Sequence, residues 1–332
     1  MKSNRPIPRI VSTGSYLPKK VLSNADLENT VDTSDEWIWT RTGIRERRIA
    51  ADDESTSDMG YEAGQRALEV GRIAPEEVDL IVVATSTPDY LLPSTASLLQ
   101  AKLGTVHAVA FDIQAACSGY LYGLSIAKSF IESGQYSTIL LVASEKLSAI
   151  TDYQDRNTCV LFGDGAAACC IRSEGIGLSI RNIILGCDGR QADLLKVPGG
   201  GSRHPISQMT IDQRLHYITM EGSEVFKHAV RRMEAACKEA LQTAGLEEDK
   251  LSWLIPHQAN IRIIEALADR FGISRERIYI TLHKYGNTSA SSCGIALDEF
   301  LQTHQLSIDD SILLAAFGAG FTWGAGVITY AE

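Results

Sequence analysis

One pattern of segments runs along this chain twice in the same order, and that repetition constrains the fold more than any other feature. In the first half, VDLIVVAT (78–85) is an almost unbroken apolar run rich in Val and Ile, the pattern of a strand covered on both faces. About thirty residues on comes AVAFDIQAACSG (108–119), leading into a helical pattern over 120–134 that stops at Gly134. STILLVASE (137–145) is the next buried run. In the second half, LSWLIPHQAN (251–260) reads as a strand closing in a polar turn, with a helix through 261–272 behind it. RIYITLHKYGNTSASS (277–292) reads as strand, turn and small-residue helix start, and SILLAAFGAGFTWG (311–324) supplies the last strand and turn.

Strand–turn–helix units in matched order predict an α/β chain of duplicated halves, divided as 1–172 and 173–332. In such layers the turns at the C-terminal ends of parallel strands gather on one rim. Cys117 follows a strand in the first half, and His257 and Asn287 follow strands in the second. The three are therefore expected to meet at the seam.

Their chemistry is coherent. Cys117, in QAACSG at a predicted helix start, is placed where exposed N–H groups favour a thiolate. A thiolate exchanges readily with a thioester. His257, in IPHQAN, and Asn287, in YGNTSAS, can both donate hydrogen bonds at neutral pH. Donors aimed at a thioester oxygen stabilise the enolate formed when a malonyl group loses CO2. No carboxylate base is required, because CO2 departure replaces proton abstraction. Each residue also has an ordinary structural reading, as a small core cysteine, a hydrogen-bonded histidine and a Gly-Asn turn.

Composition narrows the partners. The 332 residues carry a formal net charge of −10, which argues against a general nucleic-acid binder. No apolar run approaches membrane-span length, and the N-terminus lacks the apolar stretch of a secretory signal. Seven cysteines are scattered without paired metal-ligand spacing. A cytoplasmic location, no metal and no redox cofactor are expected.

The motifs together resemble the β-ketoacyl-acyl carrier protein synthase III family, the initiating condensing enzymes of type II fatty acid synthesis. The resemblance runs from GSYLP (14–18) to the C-terminus, through DTSDEWIWTRTGIRER (32–47), DRNTCVLFGDGAAA (155–168), EGSEVFKHAV (221–230), IPHQANIRII (255–264), YGNTSASS (285–292) and FGAGFTWG (317–324). It implies a thiolase-like fold layered α-β-α-β-α, with Cys117, His257 and Asn287 as the catalytic triad. It implies condensation of an acyl-CoA primer, acetyl-CoA, with malonyl-acyl carrier protein. Backbone N–H groups of Cys117 and Ala319 would form the oxyanion hole. Trp37 and Arg156 resemble the pair that holds the coenzyme A adenine, with Arg41, Gly222 and Asn260 as further coenzyme A or pantetheine contacts. Gln258, Ala259, Asn260, Ile261 and Arg262 resemble the acyl carrier protein docking segment. A local cation such as Arg262 suits an acidic carrier. Leu92, Leu147, Leu161, Phe162 and Leu195 are expected to wall the primer pocket, Leu92 from the partner subunit of a homodimer.

Three positions depart from the family pattern. Ala319 stands where a glycine is frequent, and Ala tolerates positive φ poorly. Ser223 replaces an expected Asn. Leu92 replaces Phe, which would admit a longer or branched primer. Among rivals, a biosynthetic thiolase needs a second cysteine in the C-terminal glycine turn, and FGAGFTWG has none. A hydroxymethylglutaryl-CoA synthase needs a carboxylate beside the nucleophile, and no local motif supplies an obvious one. A specialised priming synthase keeps the same triad. Papain-like proteases use Cys, His and Asn without duplicated strand–turn–helix units, and a non-catalytic acyl-thioester-binding protein would form no covalent adduct.

Overall fold

The structure, a computed structural model, describes residues 6–331. The first half contributes strands β1 (Arg9–Tyr16), β2 (Leu80–Ala84), β3 (Val109–Ile113), β4 (Thr138–Glu145) and β5 (Gly165–Arg172). The second contributes β6 (Gly177–Cys187), β7 (Trp253–Pro256), β8 (Ser311–Gly318) and β9 (Thr322–Ala331). They lie in the order β7-β8-β9-β6-β1-β5-β4-β2-β3.

The duplication expected from sequence is visible in the pairing. From β1 outward the first half runs antiparallel to β5, antiparallel to β4, parallel to β2 and parallel to β3. From β6 outward the second half runs antiparallel to β9, antiparallel to β8 and parallel to β7. The two series meet where Arg9 pairs with Ser179 and Ile10 with Leu178.

One expected strand is absent as such. The segment after Arg277 makes a single parallel bridge, Ile278 to Leu254, and then a helical turn at Leu282–Tyr285. The Gln258 side chain supplies the reason. Its Oε1 accepts from the N–H groups of Thr281 and Leu282, at 2.9 and 3.1 Å, and its Nε2 donates to the Tyr279 carbonyl at 3.3 Å. A carboxamide thus occupies backbone groups that a strand ladder would have used.

Among the described residues the α-helices of eight or more residues are α1 (Asp35–Thr42), α2 (Thr56–Gly71), α3 (Thr95–Leu103), α4 (Gly119–Ser133), α5 (Gly222–Ala244), α6 (Ile261–Phe271) and α7 (Ser292–Thr303). Helices α2 and α3 cover the outer face of the first half, and α5 and α6 that of the second. Between the halves lie α4 and α7, giving α-β-α-β-α. The alternation along β2 shows why it reads as a continuous apolar run. Leu80, Val82 and Ala84 join Leu124, Ile255 and Leu314 in the central core, while Ile81 and Val83 face Met59, Ala63 and Leu99 outside. Each such aliphatic side chain stabilises by roughly 1.5–3 kcal/mol on full burial, so a polar residue on either face would be costly.

Candidate active site

Cys117 lies in a tight turn, Ala116–Ser118, between β3 and α4. Ala116 is held at φ 45°, a left-handed conformation unfavourable for a residue with a Cβ. Neighbouring contacts hold the turn. Thr322 donates to the Ala115 carbonyl at 2.8 Å, and Ser118 donates to the Thr322 carbonyl at 3.1 Å. Gly318 completes the packing, since a Cβ there would stand 2.6 Å from the Cys117 nitrogen and 2.9 Å from its Cβ.

The ionisation of Cys117 differs from the sequence expectation. The residue is only 9% exposed, and burial pushes the thiol up to about 12, offset in part by the Ser289 hydroxyl. The resting group is a thiol, because loss of hydration outweighs the local dipoles.

The second-half residues converge on Cys117 through one short segment, 287–292. Asn287 is buried, and its Oδ1 accepts from the Ser289 N–H at 2.9 Å. That leaves the amide NH2 as its free donor end. Ser289 donates from Oγ to the Cys117 sulfur at 3.4 Å. Ser292 Oγ lies 2.5 Å from Nδ1 of His257, whose backbone N–H is anchored to Ala315 at 2.7 Å. Burial drives His257 down to about 3, so the imidazole is neutral. With Ser292 donating to Nδ1, the ring hydrogen sits on Nε2, which is buried and without a hydrogen-bond partner. The geometry provides a sulfur, a neutral N–H donor and an amide donor around one segment.

Ala319 lies in the turn joining β8 and β9, directly after Gly318. The strain anticipated for it does not arise. Positive φ falls on Gly320, at 135°, while Ala319 is not among the described positive-φ residues.

Four of the expected primer-pocket residues gather in one place. Leu147 and Phe162 are buried in a cluster with Ile218, and Leu161 and Leu195 pack against it. Phe162 bridges to Asn287, and the Leu161 carbonyl accepts the Asn287 N–H at 2.9 Å, so this apolar cluster abuts the site. Leu92 is elsewhere, 83% exposed beside exposed Tyr90 and Leu91.

Comparison with known proteins agrees with this geometry. Family models described as 3-oxoacyl-[acyl-carrier-protein (ACP)] synthase III and its C-terminal part match residues 111–189 and 241–330. The β-ketoacyl-[acyl-carrier-protein] synthase III of Chlamydia trachomatis is 57% identical over 320 residues, covering 96% of this chain and 98% of the relative. The chain belongs to the β-ketoacyl-acyl carrier protein synthase III family. A relative of the same description from Caldanaerobacter subterraneus is 52% identical, over 97% of this chain and 98% of its own. The crystal structure of 3-oxoacyl-[acyl-carrier-protein] synthase III from Aquifex aeolicus superposes with a TM-score of 0.90 at 46% identity, covering 97% of this chain and 100% of that one. The fold is that of these thiolase-like synthases.

Within this synthase III chain, several of the expected coenzyme A and carrier contacts touch one another. The guanidinium groups of Arg41 and Arg156 each lie 4.9 Å from the Trp37 ring centre. At that separation Arg156 is stacked directly on the indole and donates to the Asp32 carbonyl at 2.9 Å. An adenine enters between Trp37 and Arg156 only if the arginine swings away. Asn260 caps α6, accepting from the Arg262 N–H at 2.9 Å and donating to the Arg41 carbonyl at 3.1 Å. Ile261 packs on Gly43, whose φ of 76° and missing Cβ both suit the close approach. Arg262 is exposed beside a surface groove shared with Trp39, Arg275 and Tyr279, and Ala259 is half-buried. Gly222 and Ser223 are exposed at the start of α5.

Gln258 requires a correction. It is 1% exposed and its carboxamide is saturated by Pro256, Tyr279, Thr281 and Leu282. It holds the loop behind His257 and cannot meet a docked carrier.

Sequence reading missed Ser289, Ser292 and Glu145. The serines were legible only as a Ser-rich stretch in NTSASS. Glu145 closes β4, fully buried, and raises the Cys117 pKa by its charge. A carboxyl therefore does lie near the nucleophile, contrary to expectation. Among the described residues, no group of three or more His, Cys, Asp or Glu side chains is placed to hold a metal ion, and no helix is long and apolar enough to cross a membrane.

Proposed function

We propose that this protein condenses an acyl-CoA primer with malonyl-acyl carrier protein, releasing CO2 and coenzyme A and initiating fatty acid synthesis. It is a condensing acyltransferase. Cys117 attacks the primer thioester, the acyl group moves to its sulfur, and coenzyme A leaves with the thiol hydrogen. Backbone N–H groups of Cys117 and Ala319 hold the oxyanion. The malonyl group then loses CO2, and Nε2–H of His257 and the NH2 of Asn287 donate to the developing enolate oxygen. The carbanion attacks acyl-Cys117 to give 3-oxoacyl-acyl carrier protein. The chemistry calls for no resident cofactor, because CO2 release itself generates the carbanion.

The observation that carries this reading is the 287–292 segment, which touches Cys117 through Ser289 and His257 through Ser292. Acetyl-CoA is the proposed primer, and replacement of the family's aromatic by Leu92 leaves room for longer ones. Trp37, Arg41, Arg156, Gly222 and Asn260 would serve coenzyme A or pantetheine, and Arg262 with Ala259, Asn260 and Ile261 the acidic carrier. The exposed Tyr90, Leu91 and Leu92, at 61, 87 and 83%, form an apolar patch suited to a homodimer interface. A cytoplasmic enzyme with halves divided at 172/173 completes the proposal.

The test is reconstitution with acetyl-CoA and malonyl-acyl carrier protein. Acetoacetyl-acyl carrier protein should form, and Cys117→Ser, His257→Ala and Asn287→Ala should each abolish it. Full turnover by any of the three would overturn the assignment.

A further inference from the structure

Burial leaves Cys117 as a thiol, yet acylation needs the sulfur as a thiolate. A second buried group stands close enough to influence that change. Glu145 has no solvent exposure. Its Oε2 accepts from the Ser86 N–H and the Thr87 hydroxyl, both at 3.0 Å, and from the Thr85 hydroxyl at 3.4 Å. Its Oε1 has no hydrogen-bond partner. The Ser289 hydroxyl and the Ala290 amide lie toward the carboxyl, and the same Ser289 hydroxyl reaches the Cys117 sulfur. A crowded Oε2 and an empty Oε1 mean that a proton on this carboxyl belongs on Oε1.

We propose that Glu145, as the neutral acid, donates from Oε1 to Ser289 and so turns the Ser289 hydroxyl onto the Cys117 sulfur. Glu145 is then a positioning residue that acts on the nucleophile through Ser289. When Glu145 is ionised the arrangement reverses. The carboxylate accepts the serine hydrogen, the sulfur loses its donor, and a second negative charge faces the thiolate.

Burial raises the Glu145 pKa from 4.5 to about 7, against the pull of its hydrogen-bond donors, so the two states exchange around neutral pH. The surroundings contain little else to confuse the titration. Cys117 faces Glu145 from the turn before α4, and Cys293 lies beyond it on α7. Lys146, next on the chain, gives its ammonium to the carbonyls of Ala51 and Glu54. Asp89, beyond the 85–87 segment, is tied to Ser57 and Thr95. Asp164, preceding β5, accepts from Ser148 and Ala50. His257 is neutral throughout this range.

The inference rests on Cys117 as the nucleophile, and its test reads the sulfur without any thioester. Iodoacetamide alkylation of Cys117, located by peptide mass spectrometry, is followed from about pH 5.5 to about pH 9. The variants are Glu145→Gln, Ser289→Ala and the double substitution. In Glu145→Gln the amide NH2 replaces the acid as donor and does not ionise. The ratio of its rate to wild type should rise about tenfold or more with pH, centred near 7. In the Ser289→Ala background only the part carried by the Glu145 charge itself should remain, a rise at least about threefold smaller. A ratio that is flat with pH, or a rise reduced by less than that without Ser289, overturns the proposal. Should Glu145→Gln fail to fold, wild type and Ser289→Ala decide between them. A bend near pH 7 in log rate that is at least about threefold smaller in Ser289→Ala supports the relay, and a missing bend, or one reduced by less than that, refutes it. Absence of an acyl adduct on Cys117 would instead sink the catalytic reading, leaving this profile readable.

Discussion

The Ser292 hydroxyl accepts from the Gln258 N–H at 3.4 Å and sits 2.5 Å from Nδ1 of His257, and a serine that donates to Nδ1 leaves the ring hydrogen on Nε2. Nε2 is left as the buried donor. Removing the hydroxyl frees the ring to adopt the other tautomer. Ser292→Ala should slow malonyl decarboxylation about tenfold, the equivalent of one ordinary hydrogen bond, while acetylation of Cys117 stays within about twofold. Measuring the two half-reactions separately checks this, and equal losses in both would count against it.

The same burial makes His257 a source of acid sensitivity. Its folded pKa is depressed to about 3, whereas an unfolded histidine titrates near 6.5. Between these values the unfolded chain binds a proton that the folded chain refuses, so stability is full above about pH 6.5 and falls as the pH drops. At about pH 5 the loss attributable to this one ring is about 2 kcal/mol. Urea unfolding of wild type and His257→Gln should show it, with the variant losing that much less between about pH 7.5 and about pH 5.

Much of this was written in the sequence, and what was hidden was hidden for physical reasons. The buried strands announce themselves because both faces of β2 and β4 are covered, leaving no polar alternation. Cys117 and His257 were legible because each follows a strand, β3 and β7, and Asn287 because a strand was expected before it. The strand expected after Arg277 was not formed, since its backbone bonds go to the Gln258 side chain, which local sequence cannot reveal. Ser289 and Ser292 looked like small helix-start residues, and their contacts reach across 172 and 35 positions of sequence. Glu145 looked like the polar end of a strand, though it is enclosed.

Gln258 and Arg262 share a short segment but should behave as opposites. Gln258→Ala removes four hydrogen bonds, three of them buried, and should lower unfolding free energy by about 3 kcal/mol. Arg262 is exposed, with one long bond of 3.3 Å to the Thr40 carbonyl. Arg262→Ala should leave stability within about 0.5 kcal/mol and raise KM for malonyl-acyl carrier protein, with kcat little changed. Denaturant titration and steady-state kinetics on the pair distinguish the roles.

Gly318 tests how closely the nucleophile turn is held. A methyl group there overlaps the Cys117 nitrogen and Cβ, so Gly318→Ala must displace the turn. A displacement of about 1 Å costs on the order of a hundredfold in rate. Single-turnover acylation should fall by that order while circular dichroism shows the folded chain, and wild-type acylation would contradict the packing account.

The central claim is that Cys117 carries the primer covalently. Incubation with acetyl-CoA, followed by intact-mass spectrometry of wild type and Cys117→Ser, measures it directly. One acetyl group per chain on the wild type and none on the variant is the expected result; an unmodified wild type, or equal modification of both, would contradict it.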